Sequence, residues 1–171
     1  FACGYEQGVK YVSSNADVFQ NMTGSTPSAF NDPTKGSELA KSQFSKGADV
    51  VFAAAGGTGI GVYQAAKDDG KFAIGVDSNQ NHIQPGTMLT SMVKRVDLAA
   101  YNAYTEAKDG TWKPGVTVLG LAEGGVDWAL DNNNAALVSD ERKAKISAIR
   151  ADIVNGTISV HDYMSNNSCD I

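Results

Sequence analysis

Apolar and polar positions along this chain switch between a helical period and a strand period. The switches lay out the elements. Phe1, Tyr5, Val9 and Val12 recur near helical spacing, which predicts a first helix. Ala16 to Thr23 reads as a short strand. The run GSTPSAFNDPTKG is a loop, and its Asp32-Pro33 pair is a helix start. The acid is a good N-cap, and proline suits the first helical position. That helix runs to about Lys46, buries Leu39, Ala40 and Phe44, and stops at Gly47. ADVVFAAA is apolar throughout, which predicts a central strand covered on both faces. Gly56 to Gly61 turn the chain, and a helix to Asp69 ends on Gly70. KFAIGVD is the next strand, and GTMLTSMVK suits another.

RVDLAAYNAYTEAKDG predicts an amphipathic helix, with Val96, Ala99, Ala100 and Ala103 on one side. GVTVLGLAEGGVDWAL supplies one or two strands, interrupted by Gly124-Gly125. SDERKAKISAIRADIVNG is the last helix. Ser139 caps it, Ile146, Ile149 and Ile153 form its apolar face, and Gly156 stops it. Strands and helices alternate at crossover-sized spacing. The fold class is therefore α/β, a mainly parallel sheet flanked by helices. A chain of 171 residues makes a single domain with a sizeable core. Ligands of such sheets bind outside the carboxyl ends of the strands. That rule selects the loops around Phe30, Gly56 to Gly59, Asp77 and Lys94.

Composition narrows the function. Hydrophobic residues at 42% and charged residues at 19% describe an ordinary globular protein. The net charge is -5, with acids and bases scattered, so nothing here makes a nucleic-acid surface. The apolar runs are strand-sized, too short to span a membrane. FACGYEQGVKYV reads as the middle of something longer, with targeting information upstream. Cys3 and Cys169 are the only cysteines. Two readings stand for them: two unrelated small hydrophobes, or a disulfide formed in an oxidising compartment.

Several familiar chemistries fail on spacing. A dinucleotide fingerprint would start at Gly57 and Gly59, but its third glycine falls on Val62. No Lys-Ser or Lys-Thr follows the glycines to make a phosphate loop. Asp77, Asn79 and Asn81 mimic the start of a calcium loop. His82 stands where that loop needs glycine, and Met88 where it needs glutamate. Two cysteines without nearby partners make no zinc site. No nucleophile elbow occurs, and neither His82 nor His161 has an evident catalytic partner. No cofactor or metal is expected. Phe30 is a loop residue tucked onto the core or a stacking platform for a flat ligand. Lys94 is a surface lysine or a donor to ligand oxygens. Asp77, ending a strand, could accept from vicinal hydroxyls.

FNDPTKG, GADVVFAAAGGTGIGVYQAAK, AIGVDSNQ and TSMVKRVD occur in this order and at this spacing. Together they resemble the basic membrane protein family, the PnrA-like nucleoside-binding lipoproteins of bacterial ABC importers. The similarity runs from GYEQGVKY to NGTISV. The resemblance implies a type I periplasmic-binding-protein fold, two α/β lobes closing over a ligand. This chain looks like the second lobe plus the C-terminal elements, with the helix after Lys94 packed against a first lobe not present here. The implied ligand is a purine nucleoside or similar small molecule, and the implied partners are that first lobe and an ABC permease. The implied location is extracytoplasmic and lipid-anchored, with no enzymatic step. Carried over by motif, Phe30 stacks on the purine, and Asp77 and Lys94 hold the ribose. The backbone of Gly56 and Gly57 lines the sugar site. A ligand-sensing effector domain of a regulator is the alternative, and a nucleotide-binding enzyme a weaker one.

Overall fold

The computed structural model describes residues 1–169. Among the described residues, five α-helices and four strands follow in the order α1 (Ala2–Val12), α2 (Pro33–Ser45), β1 (Val50–Phe52), α3 (Gly59–Asp68), β2 (Phe72–Asp77), β3 (Met88–Lys94), α4 (Val96–Lys108), β4 (Val126–Trp128) and α5 (Asp140–Val154), with short 3-10 turns between them. The strands form one sheet in the order β1-β2-β3-β4. β1, β2 and β3 are parallel, and β4 joins antiparallel. The α/β class expected from the pattern is the one found.

Local chemistry explains the helix ends. Asp32 accepts from the Lys35 N–H at 2.9 Å, and Pro33 follows it, as the sequence predicts. Ser139 likewise accepts from the Arg142 N–H. α2 and α3 then pack on the sheet through small residues. The core comprises Ala40 and Phe44 from α2, Val62, Tyr63, Ala65 and Ala66 from α3, and Ala53, Ala73 and Met88 from the sheet side. Alanines dominate because the two helices run close together. A Cβ on Gly61 would collide with the Pro33 backbone, and one on Gly36 with the Thr58 carbonyl.

Two expectations change, and two other segments need comment. β1 is an edge strand with all three residues half-buried, rather than a central one. Ala16 to Thr23 forms no strand. Side chains hold that segment instead, through Lys10 Nζ to the Ala16 carbonyl and Gln43 Nε2 to Asn21 Oδ1. Val116 and Val118 have strand character but stand 95% and 81% exposed, because no neighbouring backbone offers them a ladder. α4 forms as expected, and it buries no residue. Its apolar side, Val96, Ala99, Ala100 and Ala103, faces solvent, and Tyr101 and Tyr104 are exposed as well. α5 half-buries Ile146, Ile149 and Ile153.

Cys3 and Cys169 are bonded across 166 positions of sequence, with their Cα atoms 5.6 Å apart. The bond fastens α1 to the C-terminal tail, beside Gln7, which donates to the Ser159 carbonyl and accepts from the His161 N–H. Reduction should therefore loosen α1 and the tail together. The expected loss is about 2–4 kcal/mol of stability. Intact mass should rise by two hydrogens on reduction, and melting temperature should fall. An unchanged mass would mean the thiols are free in the isolated protein.

Candidate functional site

Parallel pairing puts the carboxyl ends of β1, β2 and β3 on one edge of the sheet. The turn at Gly56 and Gly57 follows β1, Asp77 ends β2, and Lys94 ends β3. Phe30 joins them from a short 3-10 turn, Pro27–Phe30. It follows no strand, contrary to expectation, and reaches the edge by contact with the glycine turn. Gly56 has φ +55, and a Cβ there would lie 3.1 Å from the Phe30 carbonyl oxygen. The same oxygen lies 3.3 Å from a Cβ on Gly57. The closest approach these two glycines permit is thus to the protein's own backbone. Thr58 completes the join: its buried hydroxyl donates to the Ala29 carbonyl at 2.7 Å and accepts from the Asp32 N–H at 2.8 Å. Phe30 itself stays 59% exposed.

Asp77 and Lys94 form an ion pair, Nζ to Oδ1 at 2.7 Å. Their side chains are 53% and 43% exposed, so the pair is worth no more than about 1 kcal/mol. It is correspondingly easy to open. Lys94 Nζ also lies 4.7 Å from the centre of the Phe1 ring, a cation–π contact the sequence did not signal. One strand thus ends on an acid and its neighbour on a base, both partly exposed at the carboxyl edge of the sheet. A cleft of about 770 Å³ opens between α1, residues 16–24 and β1. Phe1, Phe30 and Ala53 to Ala55 line it, but it does not extend to Asp77 or Lys94.

Asp77 has unusual backbone geometry. Its φ is +70, and the Ser78 N–H bonds the Val76 carbonyl at 2.9 Å. A bond from residue i+2 to residue i around a positive φ defines a γ-turn of the rarer, strained kind. Behind it lies a hydrogen-bonded group that sequence reading missed. Gln80 Oε1 accepts from the Val76 N–H at 3.0 Å and from the Tyr63 hydroxyl at 2.6 Å. The Gln80 N–H donates to Ser91 Oγ, which donates to Asn81 Oδ1. Tyr63 is fully buried, and its hydroxyl is pushed up to about 12, by burial first and then by the charge of Asp77. Asp131 clamps the far side of the loop, accepting from Asn79 and Asn81 side chains and from the Asn133 N–H. Those bonds hold its carboxyl below the usual range, the Asn79 bond most of all. Among the described residues, no cluster of three or more His, Cys, Asp or Glu could hold a metal.

The sequence matches, over residues 1–163, the model of the family described as ABC transporter substrate-binding protein PnrA-like. The chain belongs to that PnrA-like family. It is 36% identical over 164 residues to Basic membrane protein D of Borreliella burgdorferi (strain JD1), covering 94% of this chain and 47% of that protein. It is 32% identical over 179 residues to the ABC transporter nucleoside-binding protein BmpA of Lactococcus lactis subsp. cremoris (strain MG1363), covering 94% and 48%. This PnrA-like chain thus spans about half the length of the curated relatives it matches. An ABC transporter solute-binding protein from Aeropyrum pernix K1 superposes with a TM-score of 0.76 at 25% identity, over 92% of this chain and 52% of that one. This PnrA-like chain therefore shares the fold of about half of a solute-binding protein, in line with the periplasmic-binding-protein fold expected from the resemblance.

The γ-turn makes a prediction that needs no ligand. Asp77→Gly and Asp77→Ala both remove the carboxylate, but only alanine keeps a Cβ at φ +70. The glycine variant should be the more stable by about 1 kcal/mol, reversing the usual order. Melting curves of the two variants check this. An alanine variant that melts higher would mean the turn is unstrained.

Proposed function

We propose that this chain is the second lobe, with the C-terminal elements, of a two-lobed binding protein serving an ABC importer. In this reading the cleft between the lobes holds a purine nucleoside and no chemical step follows. The observation that carries it is the Asp77–Lys94 pair at the carboxyl edge of the sheet. A nucleoside is uncharged and flat at one end and offers a vicinal diol at the other. Asp77 has acceptor capacity left after one bond to Lys94, and Lys94 has two further donors. Both can therefore engage ribose oxygens without leaving each other. Phe30 presents an exposed ring for the base. Gly56 and Gly57 bring backbone to the same edge.

Two further observations support the two-lobed reading. The matched relatives are about twice as long as the chain. The apolar side of α4 begins two residues after Lys94 and has Val96 67% exposed, as a surface awaiting a first lobe would be. The disulfide and the relatives named as lipoproteins favour an extracytoplasmic, lipid-anchored protein that delivers its ligand to a permease. Among the described residues, no helix is long and apolar enough to cross a membrane.

Asp77→Ala in the full-length protein should weaken ribonucleoside binding by about 2–4 kcal/mol, roughly thirty- to a thousandfold. A nucleoside lacking both the 2′- and 3′-hydroxyls should bind the wild type poorly and lose little more on mutation. Titration calorimetry of both ligands against both proteins checks this. Normal ribonucleoside binding by the variant, or additive losses, would remove Asp77 from the sugar site. Affinity should also change little between low and moderate ionic strength, because no charge on the ligand is paired. A steep fall with salt would point to a phosphorylated ligand instead.

A further inference from the structure

Asp77 is held in place by something other than its strand. β1 pairs with β2 only as far as Phe52 opposite Ile74, and the last bond on that side runs from the Ala53 N–H to the Ile74 carbonyl. Val76 lies one pleat further along β2, so its N–H faces the side where β1 has ended. Gln80 Oε1 occupies that place, 3.0 Å from the Val76 nitrogen. The Val76 carbonyl is taken by Ser78 in the γ-turn. Both backbone groups that flank Asp77 on its N-terminal side are thus fixed locally.

The identity of the Gln80 atom follows from chemistry. A backbone N–H can only donate, so the atom facing it is the amide oxygen. The Tyr63 hydroxyl, 2.6 Å from the same atom, must then donate as well. The surroundings leave this amide little room. A Cβ on Gly75 would lie 2.9 Å from Gln80 Oε1 and 2.7 Å from Ser91 Oγ, and one on Gly59 would lie 2.8 Å from the Tyr63 hydroxyl. Two glycines, a buried tyrosine and a buried serine therefore confine one side chain. That side chain takes the place of a strand at the end of β2.

We propose that Gln80, oriented by Tyr63, is a positioning residue that stabilises the strained γ-turn and so aims the Asp77 carboxylate at the ligand diol. The aiming role rests on the nucleoside reading above. The turn-stabilising role does not. Gln80 and Tyr63 themselves touch no ligand. Removing the Gln80 amide leaves the Val76 N–H and the Tyr63 hydroxyl without an acceptor, and the turn relaxes toward ordinary extended backbone. The carboxylate then points elsewhere, while Phe30 and the glycine turn stay as they are.

The test is a pair of cycles in the full-length protein. In the first, inosine and 2′,3′-dideoxyinosine are titrated into wild type, Gln80→Ala, Tyr63→Phe and Asp77→Ala. Gln80→Ala should lose about ten- to a hundredfold in inosine affinity and leave dideoxyinosine affinity unchanged. Tyr63→Phe should show the same pattern more weakly. On Asp77→Ala, the Gln80 change should cost nothing further. Equal losses for both ligands would make Gln80 a general support of the fold and overturn the aiming role. In the second cycle, the melting-temperature gap between Asp77→Gly and Asp77→Ala is measured with Gln80 intact and again in the Gln80→Ala background. The gap should shrink without Gln80. An unchanged gap would overturn the turn-stabilising role, with Tyr63→Phe serving if Gln80→Ala does not fold. If wild type binds neither nucleoside, the ligand reading fails, and the second cycle still decides whether Gln80 holds the turn.

Discussion

β2 outruns its neighbour. The strand beside it stops two residues short of Val76, and everything about the candidate site follows from how the exposed end is finished. Continuing β1 would have buried Asp77 in a ladder. Ending both strands together would have placed the acid on an unsupported loop. The chain instead lets a glutamine side chain stand in for the missing strand and folds the backbone into a γ-turn. The result is an exposed carboxylate on a rigid base. It pairs with Lys94, which β3 delivers to the same edge through its register with β2, Asp77 opposite Val93.

The other half of the edge is built by close approach. Gly36 and Gly61 let α2 and the start of α3 touch, and Gly56 and Gly57 let the turn after β1 rest on the Phe30 carbonyl. Thr58 bonds both sides of that contact from a buried position. The glycine-rich run therefore has two uses within a few residues. It packs a helix pair and docks an aromatic loop. Polar satisfaction accompanies it: among the described residues every buried side-chain nitrogen and oxygen has a partner.

Much of this is legible from the chain. Asp32-Pro33, Ser139 and the glycine stops mark helix ends, because capping is local chemistry that a few neighbouring residues decide. Lys94 and Asp77 are picked out by their place at strand ends. The Ala16 to Thr23 run reads as a strand and is not, and GVTVLGLAEGGVDWAL yields only its second segment, β4, since a strand exists only when a second backbone meets it, and periodicity does not report that. β1 reads as central because its residues are all apolar, yet it lies at an edge and is half-buried. Gln80 is invisible for a different reason. It sits in DSNQN, a polar stretch that looks like solvent-exposed loop, and only the fold shows that its amide faces the end of a sheet. Tyr63 looks like an ordinary core aromatic, and its hydroxyl partner lies 17 positions away.

The bond between Cys3 and Cys169 has a topological effect as well as a structural one. It closes nearly the whole described chain into a covalent ring, with the sheet, the site loops and all five helices lying within it or attached to it. The stretch around Val116 and Val118 is the most solvent-open part of that ring for its apolar content. A single protease cut there would open the ring without releasing a fragment. The two pieces would stay tethered through the sulfurs, with β1, β2 and β3 together on one of them.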